Sequence, residues 1–225
     1  RIRCSLTCAA GLALAALLLL ILHGPEGDAA AGPLPLPTGA FVLGPTDRPA
    51  YAVAAGDLDR DGDIDLVSSG LLAWENGWDG GAAPLATRWP SATLSSAAVE
   101  ARVLALADLD RDGDLDLAAG GDFGLAVWEN GWDSGSSPFG AWPLSHSLHA
   151  THTVTALAVA DLDGDGNLDL AETHDEGTPG GSGGLVVWRN PGALSGAWAS
   201  ATVTGVQGLR AVAAADLDHD GRIDL

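Results

Sequence analysis

An acidic phrase of ten residues occurs four times in this chain: Asp57-Leu-Asp-Arg-Asp-Gly-Asp-Ile-Asp-Leu66, Asp108-Leu-Asp-Arg-Asp-Gly-Asp-Leu-Asp-Leu117, Asp161-Leu-Asp-Gly-Asp-Gly-Asn-Leu-Asp-Leu170 and Asp216-Leu-Asp-His-Asp-Gly-Arg-Ile-Asp-Leu225. The copies start 51, 53 and 55 residues apart. A fixed period of this length means stacked structural units, each too small to bury its own core. An acidic solvated face would not hold its spacing and would accept Glu. Here every repeated acid is Asp and the sixth position is always Gly: Gly62, Gly113, Gly166 and Gly221.

The spacing dictates a chemistry. Asp at positions 1, 3, 5 and 9 sets short carboxylates around one tight turn, and Gly at position 6 permits the positive φ that the turn needs. Hard oxygen donors gathered in a turn are what Ca²⁺ selects. Position 7 is Asp63, Asp114, Asn167 and Arg222. A position that accepts Arg is no required side-chain ligand, so its backbone carbonyl is the expected donor. Position 4 (Arg60, Arg111, Gly164, His219) is equally variable and is expected to face water. Positions 2, 8 and 10 are always Leu or Ile and are expected to anchor each loop in the core. Without a cation, each pair of carboxylates a few ångströms apart repels by roughly 1 kcal/mol even in a water-like dielectric. One Ca²⁺ per repeat is therefore the expected cofactor.

Short alternating runs flank the loops. Val53-Ala-Ala-Gly56, Leu104-Ala-Leu-Ala107, Leu157-Ala-Val-Ala160 and Val212-Ala-Ala-Ala215 precede them, with a small face of Ala or Gly suited to close packing between strands. A second strand starts at Leu66, Leu117 and Leu170, and a third ends at Trp74, Trp128 and Trp188, each followed by x-Asn. A fourth starts near Trp89, Trp142 and Trp198. Four short strands per repeat point to a β-propeller blade. The expected fold is all-β: a partial propeller of three complete four-stranded blades and the start of a fourth, with repeats at about 50–98, 99–153, 154–205 and 206–225. EF-hands are not expected, because they need Glu at position 12 between two helices. That position holds Ser68, Ala119 and Glu172, and its flanks read as strands.

The phrase Asp-x-Asp-x-Asp-Gly-x-x-Asp between two short strands resembles the FG-GAP/VCBS repeat family, found in integrin α-subunit N-terminal propellers and many bacterial surface proteins. Trp-Glu-Asn-Gly (Trp74–Gly77 and Trp128–Gly131) is similar to the third-strand turn of VCBS repeats. The resemblance covers about residues 50–225 and implies a Ca²⁺ in the loop joining the first two strands of each blade. Carried over, the ligands are Asp57, Asp59, Asp61 and Asp65; then Asp108, Asp110, Asp112 and Asp116; then Asp161, Asp163, Asp165 and Asp169; and last Asp216, Asp218, Asp220 and Asp224. Phe-Gly and Gly-Ala-Pro signatures do not occur together in any repeat, and Gly81-Ala-Ala-Pro84 is a near miss. This favours the VCBS-like branch over an integrin subunit. Such propellers usually have seven blades, so the natural protein is expected to continue beyond Leu225.

Outside the repeats, the N-terminus reads as a targeting segment. Arg1 and Arg3 precede the apolar run 9–22, and Ala29-Ala-Ala31 offers a small-residue cleavage site. Residues 1–31 are expected to be a signal peptide, or alternatively an anchor, and the Pro-rich stretch 32–48 a linker. Repeats then fill 49–225. The chain carries 30 acids against 10 basic residues, all Arg, for a net charge of −20. Of those acids, 18 lie in the four loops. Such a surface repels phosphate backbones and anionic bilayers, which excludes nucleic acid as a partner and leaves the N-terminal segment as the sole expected membrane link. The only cysteines, Cys4 and Cys8, exclude thiolate metal sites and disulfides in the repeats.

Other residues invite functional readings. Trp74, Trp128 and Trp188, and likewise Trp89, Trp142 and Trp198, recur in register and are expected in the core between blades; Trp78 and Trp132 follow a turn and are candidates for exposed contact. His146, His149 and His152 alternate faces on a strand and are not expected to converge as a set. The insertion 172–184 lengthens one loop and reads as solvated, and its His174, Asp175 and Glu176 are the only non-repeated polar cluster. The sequence thus reads as a secreted or cell-surface Ca²⁺-binding module, extracellular or periplasmic, whose partner is a protein or a glycan. The alternative is a catalytic or non-catalytic propeller domain of an extracellular carbohydrate-active enzyme.

Overall fold

The computed structural model describes residues 51–76, 91–95, 99–132, 138–150, 152–175, 183–203 and 208–225. The N-terminal segment and linker, Trp78, Gly81–Pro84, Trp89 and Glu176 lie outside them. Among the described residues there are twelve strands and no α-helix. They form three four-stranded antiparallel sheets, each built from strands consecutive in the chain. The first holds β1 (Val53–Gly56), β2 (Asp65–Ser68), β3 (Leu72–Trp74) and β4 (Ser91–Thr93). The second holds β5 (Ala101–Ala107), β6 (Asp116–Gly121), β7 (Gly124–Trp128) and β8 (Leu144–His149). The third holds β9 (Thr153–Ala160), β10 (Asp169–Asp175), β11 (Leu185–Arg189) and β12 (Ala199–Val203). The fourth acidic phrase closes on an antiparallel bridge between Ala215 and Asp224. The expected strands of the first three repeats are thus present in their expected order, and each loop 57–64, 108–115 and 161–168 joins the first two strands of its sheet; the run Val212–Ala215, also expected as a strand, contributes only the bridge at Ala215.

Neighbouring sheets meet through their first strands, β1 beside β5 and β5 beside β9. The small face predicted for these strands makes this approach feasible. A methyl group on Gly56 would stand 2.6 Å from Leu115 Cδ1, and one on Gly120 of β6 would stand 2.7 Å from Val154. The second sheet is buried on both faces. Leu117, Ala119, Ala126 and Trp128 join Val67, Leu71, Ala73 and Leu94 in one cluster. Ala118, Leu125 and Val127 join Val154, Leu170, Leu194 and Trp198 in another. Burial on both faces explains why β6 and β7 read as nearly unbroken apolar runs.

Trp74, Trp128, Trp142 and Trp198 are buried, as their recurrence predicts, and Trp188 packs half-buried against the second cluster. The indole N–H groups of Trp142 and Trp198 are each satisfied four residues back, by the carbonyls of Pro138 at 2.7 Å and Leu194 at 3.4 Å. Trp132 is not a free contact residue: it is half-buried, and the Arg60 guanidinium lies 5.5 Å from its ring centre. Of the loop anchors, Leu58 and Leu109 are fully buried, whereas Leu217 of the fourth phrase is exposed.

Candidate metal centre

The four acidic loops repeat one hydrogen-bond network. The carboxylate at position 1 accepts the amide of the Gly at position 6: Gly62 N to Asp57 at 3.0 Å, Gly113 N to Asp108 at 3.1 Å, Gly166 N to Asp161 at 2.9 Å and Gly221 N to Asp216 at 3.1 Å. The carboxylates at position 5, Asp61, Asp112, Asp165 and Asp220, accept the amides of Asp63, Asp114, Asn167 and Arg222 at 2.8–2.9 Å. Position 3 does the same for position 5, through Asp59, Asp110, Asp163 and Asp218. The carboxylate at position 9 holds the loop shut. Asp65, Asp116, Asp169 and Asp224 accept the amides of Leu58, Leu109, Leu162 and Leu217 at 2.9–3.0 Å.

These bonds curl the acids inward. One oxygen from each of Asp57, Asp59 and Asp61 lies within 4.8 Å of the others. The same holds for Asp108, Asp110 and Asp116, for Asp161, Asp163 and Asp169, and for Asp216, Asp218 and Asp224. The third member is thus position 5 in the first loop and position 9 in the other three. In the first two loops the cage holds an unmet acceptor: Oδ1 of Asp57 and Oδ1 of Asp108 are buried with no hydrogen-bond partner. A buried carboxylate oxygen without a donor is costly. The charge is costly too. Burial pushes Asp65 and Asp116 up to about 7 against their backbone hydrogen bonds and raises Asp169, with neighbouring loop acids adding to the effect. Asp59 and Asp110 are raised by burial and by the carboxylates beside them. A divalent cation relieves both penalties, so the donor set fits one.

Sequence reasoning missed three features of this site. First, position 4 is not free. Arg60, Arg111, Gly164 and His219 all adopt positive φ, between 59° and 76°, in addition to the position-6 glycines. Second, the arginines at position 4 do not simply face water. Arg60 crosses to the next loop, donating to the Gly113 carbonyl at 3.0 Å and pairing with the Asp114 carboxylate at 2.7 Å. Arg111 packs on Gly166 of the loop after that. Third, the Asn that follows each Trp-x finishes the loop. Asn76, Asn130 and Asn190 donate their amides to the second oxygen of Asp65, Asp116 and Asp169 at 2.8–3.0 Å. The side chains of Asn130 and Asn190 reach back to the Leu58 and Leu109 carbonyls of the preceding repeat. The recurrence of Trp-x-Asn was the available signal.

One polar group has no counterpart in the other repeats. Glu172 on β10 is buried and contacts His149 Nε2 at 2.8 Å and Trp188 Nε1 at 3.3 Å. The His149 ring lies 5.5 Å from that of His152, and His152 lies 4.6 Å from His174. His149 and His152 therefore do meet, because the chain turns between β8 and β9. Glu172, at position 12 of its phrase, serves this inter-sheet cluster. Asp175 pairs with Arg210 at 3.1 Å.

Comparison with known proteins adds two matches to this geometry. Residues 108–171, from the second loop to the start of β10, match the family model for the FG-GAP-like repeat. Over that span the chain is similar to an FG-GAP-like repeat. Its loop bonds recur in the phrases at 57 and 216, beyond the matched span. Residues 213–225 match the EF-hand model. That match contains the acidic phrase, whose ninth residue pairs with the residue before the phrase in the antiparallel bridge Ala215–Asp224. No curated protein matches the chain.

Proposed function

We propose that this chain is a secreted or cell-surface Ca²⁺-binding portion of a β-propeller that serves as a protein- or glycan-interaction module. The observation that carries the reading is the unmet acceptor in a fourfold repeated carboxylate cage: Asp57 Oδ1 and Asp108 Oδ1 are buried without a donor among acids already short of counter-charge. The blade assignment is supported by three sequential four-stranded sheets that meet through β1, β5 and β9. The residues that would hold the ions are Asp57, Asp59, Asp61 and Asp65, and their equivalents at 108–116, 161–169 and 216–224, with the backbone carbonyls of Asp63, Asp114, Asn167 and Arg222. Bound Ca²⁺ supplies positive charge that fixes loop shape; the loops and the sheet edges near them then present a rigid surface to a partner. With free ion about tenfold above its dissociation constant, each site adds about 1.4 kcal/mol of stability.

Calorimetric titration with CaCl₂, followed by melting with and without EDTA, tests the reading. Heat from Ca²⁺ binding, a lower Tm in EDTA, and parallel loss of retention on a glycan and extracellular-protein array are expected. A chain that takes up no Ca²⁺ and melts identically in EDTA overturns it.

A further inference from the structure

We infer that the three loops between paired strands are unequal: Arg189 is a built-in counter-cation of the loop at 161–169, which therefore takes Ca²⁺ more weakly than the loops at 57–65 and 108–116. This rests on the calcium reading above. The residue between Trp and Asn in Trp-x-Asn is Glu75 in the first repeat, Glu129 in the second and Arg189 in the third. The bond from the Asn amide to the Asp at position 9 brings this residue beside its own acidic loop. There the Arg189 guanidinium pairs with Asp163 at 2.5 Å and with Asp165 at 2.9 Å. Those carboxylates stand at positions 3 and 5, two of the expected ligands.

A second difference points the same way. In the third loop, Oδ1 of Asp161 accepts the Gly164 amide at 2.8 Å, in addition to the bond that Gly166 makes to its other oxygen. In the first two loops, where position 4 is Arg60 or Arg111, the same oxygen is buried with no donor. The third loop thus carries a cation on two of its expected ligand carboxylates and its own donor. In the second loop the cation Arg60 pairs instead with Asp114 at position 7, and the first two loops hold Glu75 and Glu129 at the position matching Arg189. An incoming ion must break the Arg189 pairs to reach Asp163 and Asp165, and it meets a like charge at close range. A unit charge this near a divalent ion is worth roughly tenfold in affinity even in a water-like dielectric. Ca²⁺ then fills the first two loops at concentrations that leave the third held by Arg189.

The amides of Gly62, Gly113 and Gly166 each donate to the Asp at position 1, so they are separate reporters. A Ca²⁺ titration of the full chain, followed by amide NMR, should move Gly62 and Gly113 at about tenfold lower free Ca²⁺ than Gly166. Arg189→Glu, and to a smaller extent Arg189→Ala, should bring Gly166 into line with the others. Glu129→Arg should delay Gly113. Common saturation of all three amides in the wild type, or a Gly166 midpoint unmoved by Arg189→Glu, overturns the inference while leaving the calcium reading intact. A wild-type chain in which no amide responds overturns the calcium reading and this inference with it.

Discussion

Asp116→Asn separates a metal ligand from a structural carboxylate. Asp116 is buried, and its two oxygens accept the amides of Leu109 and Asn130, both at 3.0 Å. In the metal-free chain two effects of the substitution oppose each other. Burial holds this carboxyl at about 7 against an ordinary 3.8, so keeping it ionised at pH 8 costs on the order of 4 kcal/mol, which Asn removes. Asn keeps one carbonyl acceptor but turns an amide group toward the other N–H, a loss of about 1–3 kcal/mol. In EDTA at pH 8 the variant should therefore be as stable as the wild type or slightly more so. With Ca²⁺ at about a hundredfold over its dissociation constant, the wild type gains about 2.7 kcal/mol at this loop and the variant does not. For a chain of this size that is a Tm lower by about 5–10 °C. Scanning calorimetry of both proteins in EDTA and in CaCl₂ reads the difference. An equal drop in the two buffers would mean that Asp116 only closes the loop, and the metal argument would fail at this residue.

Acidification gives a related test. The raised groups Asp65 and Asp116 hold their protons in the fold at pH values where the unfolded chain has lost them. Their contribution to metal-free stability is thus fully present below about 4 and is lost as pH rises through about 7; in excess Ca²⁺ the trend should flatten or reverse, because protons compete with the ion, and urea melts from pH 5 to 8 check this. Gly113→Ala meets both a φ of 93° and the Arg60 guanidinium 2.6 Å from the added carbon, whereas Gly62→Ala meets a φ of 95° and open space. Thermal melts should show the first to be the more damaging, by about 1 kcal/mol or more, with the excess vanishing in an Arg60→Ala background. Asn130→Ala strands the buried Leu58 carbonyl and should cost about 1–3 kcal/mol by urea denaturation, equally with and without Ca²⁺.

Much of the fold was legible because its signals are local. The alternation in Leu104–Ala107 and Leu157–Ala160, the Asp spacing and the recurring Trp each depend on neighbours in the chain, and the strands and loops fall where they point. What stayed hidden depends on contacts between repeats. Arg, Arg, Gly and His at position 4 looked unconstrained because the side chains differ; the shared property is a backbone angle, hinted at only by Gly164. The partners of Arg60 lie 52 and 53 residues on, in another loop. His152 meets His174, and His149 meets Glu172, because β10 belongs to the next sheet, which spacing along β8 cannot reveal. The change from Glu to Arg at 189 is visible in the sequence, but its meaning needs the geometry that sets this residue over Asp163 and Asp165.

The side chains of Asn130 and Asn190 fasten backward, to Leu58 and Leu109, while Arg60 and Arg111 fasten forward, to the loops at 113 and 166. The junctions between the first and second and between the second and third units are therefore two-way clasps whose halves sit at matching positions. A duplication or deletion of one whole period joins halves that already match. A gain or loss of a few residues between clasp positions does not. Lineages of such chains should accordingly differ in units, with length changes confined to stretches outside the clasp positions.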